Sequence, residues 1–295
     1  MLWAVFALLG AILDAGYYGL VKRFLSSLAD EVIAAATFLS CAMILLAVSL
    51  ARGIPPLGPG LLPAVLATGI LNIVAAILVY YALRRTDLSL AVPLITFTLV
   101  FLMGTSFLVL GELPTAAGAA GILLIVAGTI IMHAPPGGPG LLSRAGALAR
   151  DRGSLAMIAV AFLYSLSLPF DKQVVVSSDT TFGSVLVVAF IGIFFLGVSL
   201  ARGSLRRASP AAALGAGASL GGVLALEAIT INLAYTLQIV PYVIAVKRLS
   251  ILFSVLIGVL VFREGGPGRR IAGALVMLGG VAAIVLSTLP GTLLS

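Results

Sequence analysis

The sequence predicts an all-α polytopic membrane protein, with ten transmembrane helices arranged as two inverted five-helix repeats. Three observations predict this fold class. Hydrophobic residues make up 61% of the 295 residues and charged residues only 9%, whereas about a quarter of the residues are charged in a soluble domain. The apolar residues form long blocks of about twenty, the length that crosses a bilayer core as a helix. The sequence also repeats itself at about half its length.

The repeat is clearest in the hexapeptide VSLARG, which begins at Val48 and again at Val198, an offset of 150 residues. In the later part of each half the offset is 152 residues, where Phe101 corresponds to Phe253. The two offsets differ by two residues, so a single insertion of two residues in the second half aligns the two halves from end to end. The chain is predicted to be a tandem duplication.

The apolar blocks predict ten membrane spans, joined by short connections rich in Gly, Pro, Arg and Ser. The spans cover approximately residues 2–21, 32–51, 61–83, 88–110, 114–133, 154–171, 183–201, 211–235, 241–262 and 271–289. A Pro- and Gly-rich linker, residues 134–153, separates the first repeat, residues 1–133, from the second, residues 154–295. Because each half has an odd number of spans, the second repeat is inverted relative to the first, as in many secondary transporters.

Positive charges are distributed unequally between the two sides of this arrangement. The connections that follow odd-numbered spans hold thirteen Lys and Arg residues, and the opposite side holds only Arg52 and Lys172. Positively charged connections stay in the cytoplasm, so we expect a protein of the cytoplasmic (inner) membrane with both termini external. The net charge of +7 lies in short loops, so no nucleic-acid partner is expected. The thirteen residues are Lys22, Arg23, Arg84, Arg85, Arg144, Arg150, Arg152, Arg202, Arg206, Arg207, Arg263, Arg269 and Arg270.

Candidate substrate-binding or coupling residues are the polar side chains inside the spans. Asp14 and Glu227 are the carboxylates well inside spans, and Lys247 and Arg248 are the cations there. An ionisable group at a helix centre costs about 2.5–3.5 kcal/mol on insertion scales, so each needs a partner or a hydrated cavity. Two interpretations remain open. In the first, Lys247 or Arg248 binds an anionic group of a substrate, and Glu227 is its counter-charge or a proton-linked gate. In the second, Glu227 and one of these cations form a structural ion pair that locks the hairpin of spans eight and nine.

Four further residues complete the candidate site. Asn72 is predicted to lie in the same membrane layer as the charged groups, and Tyr164 corresponds to Asp14 in the repeat. Ser250 and Ser254 share a helical face with Lys247 at the spacing of an α-helix, which would line a cavity. Pro169, inside span six, is either a hinge or an ordinary kink.

Small residues predict close helix packing rather than chemistry. Ala213, Gly217, Gly221 and Ala225 form a strip at four-residue spacing in span eight, which is suited to close helix approach. Spans five and ten each carry two glycines one heptad apart, Gly121 and Gly128 in the first and Gly273 and Gly280 in the second. We expect these four glycines to pack the last helices of the two repeats.

No enzyme activity and no cofactor are predicted. The single histidine, His133, has no neighbouring acid or cysteine at metal-ligand spacing, and the sequence contains neither a phosphate-binding glycine loop nor a G-x-S-x-G motif. The expected partners are a small-molecule substrate and the lipid bilayer, with the protein a monomer or a homodimer. A non-transporting scaffold or lipid-handling protein, with Glu227 and Lys247 buried against each other, is the alternative.

Several motifs resemble the EamA family of the drug/metabolite transporter superfamily. They are YYALRRTDLSLAVPL from Tyr80, VKRLSILFSVLIG from Val246, and the glutamates Glu112 in LGE and Glu264 in FRE. The resemblance implies a secondary carrier that exports an amino acid or related metabolite, with a central cavity and alternating access. Glu112 and Glu264 lie at membrane edges beside helix ends, which indicates a structural role for both.

Overall fold

The computed structural model describes residues 1–83, 85, 94–133, 151–253 and 267–289, and all regular elements among them are helical. The helices in chain order are α1 (Leu2–Phe24), α2 (Asp30–Arg52), α3 (Leu61–Leu83), α4 (Thr98–Leu110), α5 (Ala116–Met132), α6 (Arg152–Val176), α7 (Phe182–Ala201), α8 (Pro210–Tyr235), α9 (Val240–Lys247) and α10 (Pro267–Ser287). One short helical turn, Ser204–Arg207, precedes α8, and a π-helical turn, Gly217–Gly221, lies inside it.

Within the described residues, six helices are long and apolar enough to cross a membrane: α2, α3, α6, α7, α8 and α10. Shorter apolar helical segments lie in α1, α4 and α5. In hydrocarbon only a helix or a closed barrel satisfies its own backbone. The prediction of a multi-pass α-helical membrane protein is therefore confirmed.

The chain forms two compact units, each of which contains segments of both sequence repeats. Unit I comprises Leu2–Ile73 and Phe170–Gln238, and unit II comprises Val74–Pro169 and Ile239–Ser295 together with Met1. The divisions at Ile73 and Pro169 fall inside α3 and α6. Pro169 is accommodated within α6, which continues to Val176.

In unit I, α2 packs along α7 and along the π-helical turn of α8. A Cβ atom added to Gly221 would lie 2.7 Å from the Ser40 Cβ atom and 2.9 Å from the Thr37 carbonyl oxygen. A Cβ atom on Gly217 would lie 2.5 Å from the Ser40 hydroxyl. The prediction that these glycines allow close helix approach is confirmed.

The connections of unit I fall into two sets at opposite ends of α2. At the start of α2, Glu31 lies 3.8 Å from Arg202, just after α7. Beyond the other end, the Gly58 N–H donates to the Ser177 carbonyl oxygen at 2.8 Å, just after α6. A helix of this length is about 34 Å long. Connections that the sequence assigns to the same side of the membrane therefore do meet each other.

In unit II, α5 and α10 cross at the four predicted glycines. A Cβ atom on Gly121 would lie 2.6 Å from the Gly280 carbonyl oxygen, and a Cβ atom on Gly128 would lie 2.6 Å from that of Gly273. The packing role of the glycines is confirmed. Because Gly121 corresponds to Gly273 and Gly128 to Gly280 in the repeat, each contact maps onto the other. The crossing is therefore antiparallel, and both helices present equivalent surfaces to it.

Glu112 joins the end of α4 to the start of α9. Its Oε2 atom accepts hydrogen bonds from the Val240 N–H at 2.8 Å and from the Ser106 hydroxyl at 3.1 Å. The first N–H groups of a helix have no partner inside the helix, and a carboxylate there is stabilised by the helix dipole. The predicted structural role of Glu112 is confirmed, whereas Glu264 lies outside the described residues.

Candidate functional site

Unit I contains both predicted buried carboxylates, Asp14 on α1 and Glu227 on α8, each 6% exposed. Helix α1 packs directly on the last part of α8: a Cβ atom on Gly10 would lie 2.5 Å from the Ile231 side chain. The close packing explains why these two acids are removed from solvent although they stand on separate helices. Tyr164, the repeat counterpart of Asp14, belongs to unit II and packs against its apolar cluster around Met157.

A second polar group in unit I contains the predicted Asn72 together with Thr68 and Asp171, which the sequence did not single out. The Thr68 hydroxyl donates to the Asp171 carboxylate, and the Asn72 side-chain amide donates to the Thr68 hydroxyl at 3.0 Å. The sequence ended span six at Asp171, but α6 continues to Val176, so Asp171 and Lys172 lie inside a helix. The signal that could have found this group is the i, i+4 spacing of Thr68 and Asn72, which places both on one face of α3.

Two other polar contacts of unit I join helix ends. The Lys172 ammonium donates to the Gln238 carbonyl oxygen at 2.8 Å. The Asn232 amide donates to the Thr180 carbonyl oxygen and to the Ser184 hydroxyl, both at 2.8 Å. These contacts link α6, α7 and α8 near the ends that the sequence places outside the cell. Their role is structural, because every one is directed at a connection or at the start of a helix.

Unit II contains the predicted cations, and its helices are interrupted where the sequence predicted continuous ones. Span nine was predicted as a single helix over residues 241–262, but α9 ends at Lys247 and a turn at Arg248 and Leu249 follows before the backbone is helical again. Span four contains an equivalent turn at Thr96 and Phe97, directly before α4. We call these the paired tight turns, Thr96–Phe97 and Arg248–Leu249.

The paired tight turns have the same backbone hydrogen bonds. The Phe97 N–H donates to Leu94 at 3.1 Å, and the Leu249 N–H donates to Val246 at 3.0 Å. The N–H groups two residues further on donate to Thr96 at 3.0 Å and to Arg248 at 3.2 Å. These are i to i−3 bonds of the 3₁₀ type, which within a helix often mark a hinge or a functional position. Each of these two bonds in one turn has its counterpart 152 residues away in the other.

Polar side chains occupy both paired tight turns and are buried there. Thr96 and Thr98 are 1% and 0% exposed, and Arg248 and Ser250 are 8% and 3% exposed. Thr96 corresponds to Arg248 in the repeat, and Thr98 to Ser250. A sequence signal for these turns is a polar, an apolar and a polar residue in succession, which occurs at residues 96–98 and again at residues 248–250. The two turns thus bring a buried guanidinium and buried hydroxyls into one unit.

The turn after Lys247 corrects one detail of the predicted site. Lys247 and Ser250 do not follow one another on a continuous α-helix, so the predicted stripe of Lys247, Ser250 and Ser254 is interrupted, and Ser254 lies outside the described residues. Lys247 is partly buried. Glu227 belongs to unit I, whereas Lys247 and Arg248 belong to unit II. Pairing of Glu227 with either cation stays a prediction.

Apolar membrane-spanning helices that bury carboxylates, a guanidinium and hydroxyls define a polytopic α-helical membrane protein with a polar interior. Residues 1–134 match the model of the EamA-like transporter family. Over these residues the match bears out the family resemblance that the motifs indicate, and the matching family is one of transporters.

Comparison with solved structures supports the fold. One crystal structure of a protein superposes with a TM-score of 0.76 at 17% sequence identity, and the alignment covers 96% of this chain and 98% of that one. At this identity the likeness shows the fold alone. No curated protein matches the sequence.

Proposed function

We propose that the protein is a secondary active transporter that exports a small organic solute, such as an amino acid or a related metabolite, by alternating access. The observation that carries this proposal is the burial of Asp14 and Glu227 on apolar helices, and of Arg248 in the turn after α9, in a chain whose first 134 residues match a transporter family. Ionisable groups at membrane depth mark solute paths or proton relays. Pro169 inside α6 supplies a position at which a helix can bend.

The proposed architecture is a pair of inverted five-helix repeats. The antiparallel glycine crossing of α5 and α10 and the matching hydrogen bonds of the paired tight turns support a two-fold relation between the repeats. Such a relation lets one site open alternately to the two sides of the membrane while the halves exchange conformations.

Transport itself is tested in proteoliposomes. Purified protein should move at least one member of a panel of radiolabelled amino acids and organic acids faster than protein-free liposomes. Imposing a pH gradient should change the rate if the carboxylates Asp14 or Glu227 couple protons. No protein-dependent flux for any solute, with or without the gradient, would favour the scaffold or lipid-handling alternative.

The inverted arrangement predicts a specific labelling pattern. In a Cys41→Ala background, which removes the chain's single cysteine, cysteines at exposed positions 56 and 237 should react with a membrane-impermeant maleimide in intact cells. Cysteines at exposed positions 26 and 206 should react only after permeabilisation. Tags at the two termini should both be accessible from outside. Termini on opposite sides of the membrane would contradict the inverted repeat.

A further inference from the structure

We propose that the paired tight turns bind the carboxylate-bearing end of the transported solute, with Arg248 as the ligand of the carboxylate and Thr96 and Thr98 as hydrogen-bonding groups. This inference rests on the proposed transport function and assigns its substrate class: a small anionic or zwitterionic solute. From the sequence, a cation of span nine was expected either to meet an anionic group of a substrate or to form a structural ion pair. The sequence assigned no role to the threonines of span four and left the choice between Lys247 and Arg248 open.

The first argument is hydrogen bonding. In the described part of unit II, three buried side-chain atoms have no hydrogen-bond partner. They are Thr96 Oγ1, Thr98 Oγ1 and Arg248 Nε. All three belong to the paired tight turns or to the residue directly after one. Buried polar atoms are normally satisfied, and an exception requires an explanation such as a bound molecule or a functional role. The hydroxyls of Thr37 and Ser49 on α2 also have no hydrogen-bond partner, but the three atoms of unit II all lie at two equivalent turns, and this shared position points to a binding site.

The second argument is the contrast with other threonines of the same unit. The Thr105 hydroxyl on α4 donates to the Ser165 carbonyl oxygen at 2.6 Å, and the Thr129 hydroxyl donates to the Ile125 carbonyl oxygen at 2.9 Å. Thr129 thus bonds to the backbone of its own helix, as threonines in helices commonly do, and Thr105 bonds to the backbone of α6. Thr96 and Thr98 make neither kind of bond, although both are at least as buried as Thr105.

The third argument is the position of the two turns along neighbouring helices. Helix α4 packs on α9, and the bond from the Val240 N–H to Glu112 fixes the end of α4 beside the start of α9. Arg248 lies about 12 Å along α9 from that point, and Thr98 about 18 Å along α4 from Leu110, at 1.5 Å per residue. Because the helices run in opposite directions, Arg248 and Thr98 differ in depth by about 6 Å. A solute of amino-acid size spans this difference.

The charge of the site selects the ligand. A guanidinium presents a planar set of N–H donors that matches a carboxylate, and hydrogen bonds between charged groups are about twice as strong as neutral ones. One guanidinium with neutral hydroxyls around it balances one negative charge. A monocarboxylate therefore fits better than a doubly charged phosphate.

The test is ligand-induced stabilisation of the purified full-length protein in detergent. Lactate and L-alanine, at millimolar concentrations, should raise the melting temperature, because a ligand that binds only the folded state stabilises it. Lactamide and L-alaninamide, which lack the carboxylate, should not. Arg248→Gln should weaken the carboxylate effect about 10-fold or more, and Arg248→Lys should restore part of it. Equal shifts with the amides, equal shifts in Arg248→Gln, or no shift with either carboxylate would overturn the proposal.

The threonines have their own readout. Thr96→Val and Thr98→Val remove a buried hydroxyl without a partner, so the ligand-free protein should melt at the same or a higher temperature while lactate binding weakens. Thr105→Val, the matched control, should lower the melting temperature and leave lactate binding unchanged. The assignment of the two threonines as ligands would be overturned if Thr96→Val and Thr98→Val lowered the melting temperature and left lactate binding unchanged.

Failure of this inference is distinguishable from failure of the proposed function. Transport in proteoliposomes that is restricted to neutral or cationic solutes would overturn the carboxylate site and leave the transporter function standing. Arg248-dependent binding of carboxylates, with no flux of any solute, would leave the site standing and overturn the transporter function.

Discussion

Replacing Gly280 by alanine should abolish folding of the protein or lower its stability severely. The new Cβ atom would lie 2.5 Å from the Gly121 carbonyl oxygen, 2.9 Å from Ile125 Cγ1 and 3.1 Å from the Ile125 nitrogen. Two of these three atoms are backbone, so neither helix can relieve the overlap without moving apart. Overpacking of this kind typically costs about 1–3 kcal/mol and more where the backbone is the obstacle. The measurement is the yield of monodisperse protein after solubilisation, together with its melting temperature.

The neighbouring residue provides a matched control. Gly279 stands on the same helix, and a Cβ atom there would have no atom within 4 Å. Gly279→Ala should therefore express and melt like the unmodified protein, or melt slightly higher, since alanine favours the helix over glycine. Gly121→Ala, at the other side of the same contact, should reproduce the defect of Gly280→Ala. Normal melting of Gly280→Ala would mean that α5 and α10 do not cross at these glycines.

Replacing Lys247 by alanine should reduce transport about 10-fold or more while leaving the fold largely intact. Lys247 is the last residue of α9 and directly precedes the Arg248–Leu249 turn. A cation one residue before Arg248 attracts the anionic solute towards the proposed carboxylate site, and the loss of a hydrogen bond to a charged group costs about 1.5–3 kcal/mol. The measurement is the initial rate of solute flux in proteoliposomes, at equal amounts of reconstituted protein.

Lys172 is the matched cation for that experiment. Its ammonium donates to the Gln238 carbonyl oxygen at 2.8 Å in unit I, whereas the paired tight turns belong to unit II. Lys172→Ala should lower the melting temperature modestly and leave the flux per folded molecule unchanged. Normal flux in Lys247→Ala would remove Lys247 from the site, and Arg248 would then be the cation of span nine that the solute meets.

Much of the fold could be predicted because it depends on local composition and on the repeat. Long apolar blocks are sufficient to predict membrane-crossing helices, since the bilayer permits few other structures. The four glycines of α5 and α10 could be assigned to helix packing because a heptad spacing places both members of a pair on one face. The strip around Gly217 and Gly221 followed from the same reasoning. In each case the periodicity of one helix carries the information.

The candidate site was predicted less completely. Asp14, Glu227 and Arg248 could be identified because a charged residue in an apolar block stands out by composition alone. Thr96, Thr98 and Thr68 were missed, because threonine is common in membrane helices and usually bonds to its own backbone, so their spacing stands out only once the structure is known. Asp171 was placed at the end of a span, because hydropathy gives the length of an apolar block and not the length of the helix that contains it.

The sequence by itself determined that the chain crosses a membrane repeatedly, that its halves are duplicated, and which charges are exceptional at membrane depth. Only the tertiary structure decided where the helices tighten into the paired turns and which hydroxyls are left without a partner. The physical reason is that hydropathy and periodicity belong to single segments. Whether a buried polar atom is satisfied depends on the helices around it, as the bond from Thr105 to Ser165 and the lack of one at Thr98 demonstrate.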